Sequence, residues 1–177
     1  MKKLNKKGFT LIELLAVITI MTILMLVAIP AVSRTIENTR RDSFANLAKN
    51  YLNAVRNAVI ADELECQIGS GTTKTSVAAV PIGTYYYAIN SSSDDLMESG
   101  GKSSWNSAEV NGYIKFVKSV SGNDQEKIAY SVALVDTGSH GIATEVSELS
   151  ITRSNVKTAA GVSTVAVPTG GTVCTLK

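Results

Sequence analysis

From Phe9 to Ile29 the chain reads FTLIELLAVITIMTILMLVAI, an unbroken apolar run with one charge, Glu13. As a helix, about 21 residues at 1.5 Å each extend roughly 31 Å, the hydrocarbon thickness of a bilayer. The segment is therefore long and apolar enough to cross a membrane. Ahead of it, Lys2, Lys3, Lys6 and Lys7 crowd the amino-terminal side and should hold that end in the cytoplasm, leaving the rest of the chain to face outward. Behind it, from Ser33 on, the sequence is mixed and polar.

The overall charge of +2 is dominated by those lysines. With residues 1–8 removed, 17 basic residues fall to 13 against 15 acidic ones, a balance of −2. No general basic field remains to attract a polyanion. There are two cysteines, Cys66 and Cys174, too few and too separated for a metal motif, with one intramolecular pairing available. In an oxidising compartment that bridge would contribute about 5 kcal/mol by chain entropy. The alternative is two unlinked buried thiols.

The order of features at the start departs from a secretory signal, where the cleavage site follows the apolar core. Here Gly8 stands between the lysines and the apolar run, so a cut after Gly8 would keep the spanning helix on the mature chain. The stretch Lys6, Lys7, Gly8, Phe9, Thr10, Leu11, Ile12, Glu13 reads KKGFTLIE. It resembles the prepilin cleavage and methylation signature of type IV pilins and type II secretion pseudopilins. The resemblance implies cleavage between Gly8 and Phe9 by a prepilin peptidase and N-methylation of the new Phe9 amine. It also implies that Glu13 pairs with the Phe9 amine of a neighbouring copy and sets the stagger between them. An acid at this depth in an apolar segment is costly and marks function. Pro30, at the membrane exit, resembles the helix-interrupting proline of many pilins, and on its own chemistry would break or kink a helix.

From Ala31 to about Glu65 the apolar residues Val32, Ile36, Phe44, Leu47, Ala48, Tyr51, Leu52, Val55, Ala58 and Val59 mostly recur at spacings of three and four. This predicts one long helix, of which the first half faces lipid and the second lies against a head. About 58 residues, from Phe9 to Cys66, would extend roughly 87 Å. After Gly69 the composition turns to Gly, Ser and Thr with short strand-like runs: Ile82 to Ile89, Tyr113 to Val120, Lys127 to Val135, Ala143 to Ile151 and Gly161 to Val167. The expected fold is α+β, a long helix packed on an antiparallel sheet. The expected divisions are a leader, 1–8; a transmembrane and polymerisation helix, 9–30; an amphipathic helix half, 31–66; and a head, 67–177. By the same resemblance, Cys66 at the helix end and Cys174 near the carboxyl end would tie the last segment back to the helix.

Other chemistry is weakly represented. Asp136, Ser139 and His140 carry the letters of a hydrolytic triad but fall within one turn, where nucleophile, base and orienter cannot be arranged. His140 is the single histidine, which disfavours zinc. Asp94, Asp95 and Glu98 lack the alternation and central glycine of a calcium loop. Tyr85, Tyr86, Tyr87 and Trp105 could bind a surface or a sugar, but alternation sends Tyr85 and Tyr87 to one side of a strand and Tyr86 to the other, which reads more simply as core packing plus one exposed ring. Arg34, Arg40, Arg41 and Arg56 sit beside Glu37, Asp42 and Asp62, with Glu37 and Arg41 spaced as an i, i+4 pair. No aromatic residues interleave with them, so they read as a solvated or inter-copy face more than as a nucleic-acid interface. No catalytic residue, metal or cofactor is expected. A sortase-assembled filament is disfavoured because TVCTLK contains no sorting motif.

The expectation is thus a filament subunit made in the cytoplasmic membrane and carried to the bacterial surface for adhesion, motility or DNA uptake. Its implied partners are other copies and other pilins, the prepilin peptidase and methyltransferase, and an assembly platform with its ATPase. A pseudopilin of a secretion or competence machine shares the same amino-terminal motif. A membrane-anchored enzyme is the reading from a different class.

Overall fold

A computed structural model describes residues 8–69, 73–90, 110–122, 125–136, 142–147, 151–158 and 165–177. The chain separates into two compact units, one ending at Arg40 and one spanning Arg41–Lys177. A single helix, α1 (Leu11–Ile60), runs through both and passes Pro30 without interruption. Of the two outcomes left open by the sequence, a break or a kink in a continuous helix, the chain shows a continuous helix through Pro30. Proline forfeits one i→i−4 hydrogen bond, and the turns on either side keep the helix in register.

In the first unit every described residue is exposed. Val32 and Ile36, read from spacing as part of the packed stripe, are 55% and 48% exposed. Burial on α1 begins only at Phe44 and continues through Leu47, Ala48, Tyr51, Leu52, Val55 and Ala58, the three-and-four spacing of one helical face. Small residues at 45, 48, 54 and 58 let the helix approach the sheet closely, while Phe44, Tyr51 and Leu52 fill the space between them. Each fully buried large side chain contributes about 1.5–3 kcal/mol.

Helix α1 ends five residues before the expected boundary. Asp62 adopts a left-handed φ of 58°. The Glu63 N–H donates to the Ala58 carbonyl at 2.9 Å and the Asp62 N–H to that of Val59 at 3.3 Å. This is a Schellman close with aspartate where glycine is usual. The chain then turns directly into strand, so Cys66 lies on a strand and not at the helix end.

Eight strands follow: β1 (Leu64–Gln67), β2 (Lys74–Ser76), β3 (Gly83–Ile89), β4 (Val110–Val120), β5 (Glu126–Asp136), β6 (Ile142–Ser147), β7 (Val156–Thr158) and β8 (Thr172–Leu176). They form one sheet in the order β2-β1-β8-β3-β4-β5-β6-β7. The α+β layout matches the expectation, with one difference: β8 pairs antiparallel with β1 but parallel with β3. The last strand is thus an interior strand, reached by a crossover that a hairpin meander could not provide. The β5–β6 hairpin is present, with Val135 opposite Ala143. Residues 165–167 of the expected final strand are irregular, and 161–164 lie outside the described residues.

Alternation on β3 and β4 sends Tyr85, Tyr87, Ile89, Ile114 and Phe116 into the core, with Tyr85 and Phe116 stacked at 5.6 Å. Tyr86 takes the opposite face, edge-on to Tyr113 at 5.4 Å. Lys118 is an exception on the inner face, 3% exposed. Its ammonium donates to the carbonyls of Ala78 at 2.8 Å and Val80 at 3.2 Å, and lies 3.1 Å from Glu126. It is thereby fully paired, as a buried charge must be.

Cys66 and Cys174 stand opposite each other on β1 and β8, and their disulfide closes a sequence separation of 108. Beside it, Lys177 donates its backbone N–H to the Glu63 carbonyl at 2.9 Å and its ammonium to Asp62 at 2.9 Å. Ser76 also donates to the Asp62 carboxylate. One side chain thus joins the helix end, β2 and the end of β8. Farther along, Arg153 of the 3₁₀ turn over Arg153–Asn155 forms an ion pair with Asp42 of α1.

Gly112 has a φ of +149°, and a Cβ there would lie 2.0 Å from the Ala133 carbonyl oxygen across the β4–β5 pairing. Gly112→Ala should lower stability by at least about 2 kcal/mol, read as the denaturant midpoint of the disulfide-intact chain in detergent. Asp62 gives a pH signature. Hydrogen bonds from Ser76 and then from Lys177 hold its carboxyl below the ordinary value of 3.8. The stabilisation is present above that value and is lost as pH falls through the lower, folded-state pKa. Protection factors at Thr175 and Leu176, with the intrinsic exchange rate divided out at each pH, should fall on acidification in the wild type, whereas Asp62→Asn should be less protected already at neutral pH and flatter with pH.

Candidate functional site: the amino-terminal turn of the apolar helix

Thr10 precedes the first helical residue and Glu13 stands at the third, the arrangement of a capping box. The Thr10 N–H donates to Glu13 Oε2 at 2.8 Å, the Thr10 hydroxyl donates to the same oxygen at 2.9 Å, and the Glu13 N–H donates to Thr10 Oγ1 at 3.3 Å. Two of the amide groups that a helix start leaves unpaired are satisfied in this way. Among the described residues, Glu13 Oε1 receives no hydrogen bond. The pattern Thr-x-x-Glu at the head of an apolar run is the signal that would have revealed the box in the sequence. Neither sequence reading of Glu13, as the partner of a neighbouring amine or as an isolated anchor residue at the membrane interface, includes this cap.

Cleavage between Gly8 and Phe9 would leave this box intact, because the Thr10 amide belongs to the Phe9–Thr10 bond. It would place a new ammonium one residue ahead of it, at the positive end of the helix dipole, where a cation is disfavoured. Phe9 is 88% exposed, and a Cβ built on Gly8 meets nothing within 4 Å. The described residues therefore give no packing reason for glycine at 8. Met1–Lys7 lie outside the described residues.

Beyond Glu13 the helix is long and apolar enough to cross a membrane, and none of that stretch is buried. Its hydroxyls fold back onto their own backbone: Thr19 donates to the Ala16 carbonyl at 2.8 Å and Thr22 to that of Ile18 at 2.7 Å. Past Pro30 the same occurs from Ser33 to Ile29 at 3.0 Å and from Thr35 to Ala31 at 3.1 Å. In hydrocarbon an unpaired hydroxyl is costly, and these bonds remove that cost without a partner chain. The stretch from Leu14 to Ile29 is thus compatible with lipid on all sides.

Elsewhere, Asp136 is buried at the end of β5, and Ser139 and His140 lie outside the described residues. Asp94, Asp95, Glu98 and Trp105 also lie outside them. Of the helix charges, Asp42 and Asp62 are claimed by Arg153 and Lys177 of the head. No group of three or more metal-ligating side chains occurs among the described residues.

The capped apolar helix and the disulfide-closed α+β head together make a pilin-like layout. Residues 3–29 match the family model described as the prokaryotic N-terminal methylation motif, the hallmark of type IV pilin and pseudopilin precursors. The match covers the leader and the apolar helix and does not reach the head. No curated protein and no solved structure matches the chain.

Thr10→Val should remove both hydroxyl bonds of the box and cost the first turn about 1 kcal/mol. In micelles the amides of Leu11 to Leu14 should then exchange several-fold faster, with those beyond Ala16 unchanged.

Proposed function

We propose that the chain is a structural subunit of a type IV pilus. It enters the cytoplasmic membrane as a precursor, is cut between Gly8 and Phe9 by a prepilin peptidase and is N-methylated at Phe9. It then polymerises through α1 into a filament on the bacterial surface that serves adhesion, motility or DNA uptake. The observation that carries this reading is the exposed apolar half of α1, whose single charged side chain, Glu13, has a free carboxylate oxygen beside the future amino terminus.

The mechanism follows from charge. A methylated Phe9 ammonium is disfavoured at its own helix terminus and in lipid, so it gains most from a carboxylate that is already desolvated. Glu13 of a copy already in the filament offers Oε1 while Oε2 continues to cap its own helix. Pairing neutralises both charges and fixes the axial offset of adjacent helices, whose apolar surfaces exchange lipid for one another. Pro30 is where α1 would open to accommodate that packing, since one backbone hydrogen bond is already missing there. Other copies and pilins, an assembly platform and its ATPase are the partners this route requires.

Mass spectrometry of sheared surface filaments should find a mature chain beginning at Phe9, 14 Da heavier than the unmodified chain by one methyl group. A chain still starting at Met1 in assembled material would sink the proposal. Glu13→Gln separates the two roles of the acid, since glutamine keeps the capping geometry and loses the charge. The variant precursor should be cleaved normally while filament yield falls at least tenfold; undiminished yield would refute the pairing. Abundance of the chain in those filaments separates a pilus subunit from a pseudopilin, which would leave them without it.

A further inference from the structure

Residues 8–10 are non-helical and α1 begins at Leu11, so the Gly8–Phe9 bond lies just ahead of the helix and outside it. The first bond of the helical ladder runs from the Leu14 N–H to the Thr10 carbonyl at 3.2 Å, which makes Thr10 the N-cap. Among the described residues no backbone N–H donates to the Gly8 carbonyl. Phe9 is 88% exposed, and a Cβ on Gly8 would meet nothing within 4 Å. No packing among the described residues holds these two in an extended form.

A second onset is available to the same sequence. Glycine is an acceptable N-cap, close to threonine and far ahead of alanine, so the helix could equally be capped at Gly8. Extending it backward would carry the unpaired amides of its start away from the apolar run and toward water. With that onset the Ile12 N–H would donate to the Gly8 carbonyl, and Phe9 and residue 10 would join the first turn. The Thr10–Glu13 box decides between the two onsets, because its three hydrogen bonds form only when Thr10 is the cap.

The choice matters for hydrolysis of the Gly8–Phe9 bond. Water adds to the Gly8 carbonyl carbon, the C–N bond breaks, the Phe9 nitrogen leaves with a proton as an amine, and Gly8 keeps the carboxylate. A carbonyl bonded into a helix is not free for this, and an extended segment also presents its backbone groups to a binding cleft. We propose that Thr10 is a positioning residue for processing: by capping α1 at Leu11 it keeps the Gly8 carbonyl out of the helix and open to the peptidase. The role rests on the processing reading and deepens it. Alanine at 10 removes the cap and supplies the best helix former, which together shift the onset toward Gly8 by roughly tenfold. Valine also removes the cap but is stiff in a helix, so it frays the turn without drawing it backward.

The test compares full-length precursors in detergent micelles with purified prepilin peptidase, following release of residues 1–8. Thr10→Ala should raise KM roughly threefold or more with kcat held within about twofold, because only the fraction with a free carbonyl binds. In the uncut Thr10→Ala precursor the backbone carbon shifts of Phe9 should move to helical values. Thr10→Asn caps as well as threonine yet lacks its hydroxyl and methyl, so it should restore both the KM and the shifts. Wild-type kinetics for Thr10→Ala would overturn the proposal and leave the processing reading standing. So would slow cleavage with Phe9 still extended, or equally slow cleavage of the alanine and asparagine variants, since either makes residue 10 a direct contact of the peptidase. A wild-type precursor left uncut between Gly8 and Phe9 would overturn the processing reading, and this role with it.

Discussion

The apolar half of α1 has no partner in its own chain, and the rest of the molecule is arranged around that deficit. A helix of this kind, exposed on every side, has two environments that remove its surface from water: the bilayer and other copies of itself. Both are apolar, so transfer from one to the other gains little from the hydrophobic effect and must be directed by something polar. Glu13 is the one charged group available along that run. The capping box shows how an acid can reside there at modest cost, since one oxygen satisfies the helix start and the other remains free. The same constraint accounts for the hydroxyls. Threonines at 19 and 22 are bonded to their own backbone and thus compete with no lipid and with no neighbouring helix.

The head solves a different problem, which is to remain closed while attached to that helix. Its core is the sheet face of β3, β4 and β5 against α1 from Phe44 onward, and its weakest point by topology is β8. An interior strand contributed by the last residues joins β1 to β3, and until it docks, the sheet is two pieces. The ties concentrate there accordingly: the disulfide, the Lys177–Asp62 pair and the backbone bond to Glu63. Asp62 also holds the left-handed turn that ends the helix, so the helix terminus and the closing strand share one residue. Such sharing couples the end of α1 to the closure of the sheet.

How much of this was legible in the sequence follows from the range of the forces involved. The apolar run, the start of the helix and the long strands β3, β4 and β5 are local patterns of charge and periodicity, and they read directly. The halves of α1 were harder to divide. Val32 and Ile36 continue the helical spacing of Phe44 and Leu47, and only the absence of a sheet beside them shows that the stripe there has no internal partner. Strands β1, β2, β7 and β8 are three to five residues long, below the length at which alternation is distinguishable from chance. The parallel contact of β8 with β3 depends on partners far apart in the chain. The Thr10–Glu13 box was written in the sequence and was obscured because Glu13 already had a stronger reading.

The Asp62 turn shows why long-range context is decisive. Glycine is the usual residue in a left-handed helix close because other side chains meet a steric penalty there. Aspartate tolerates the position better than most, yet nothing in the neighbouring residues announces that this aspartate should take it. What compensates is a hydroxyl from β2 and an ammonium from the end of β8, brought in by the sheet. The strain of the turn is thus offset by groups that arrive only when the head has closed, so the helix end acquires its full definition last. An element of this kind is stable in the closed head and permissive before it.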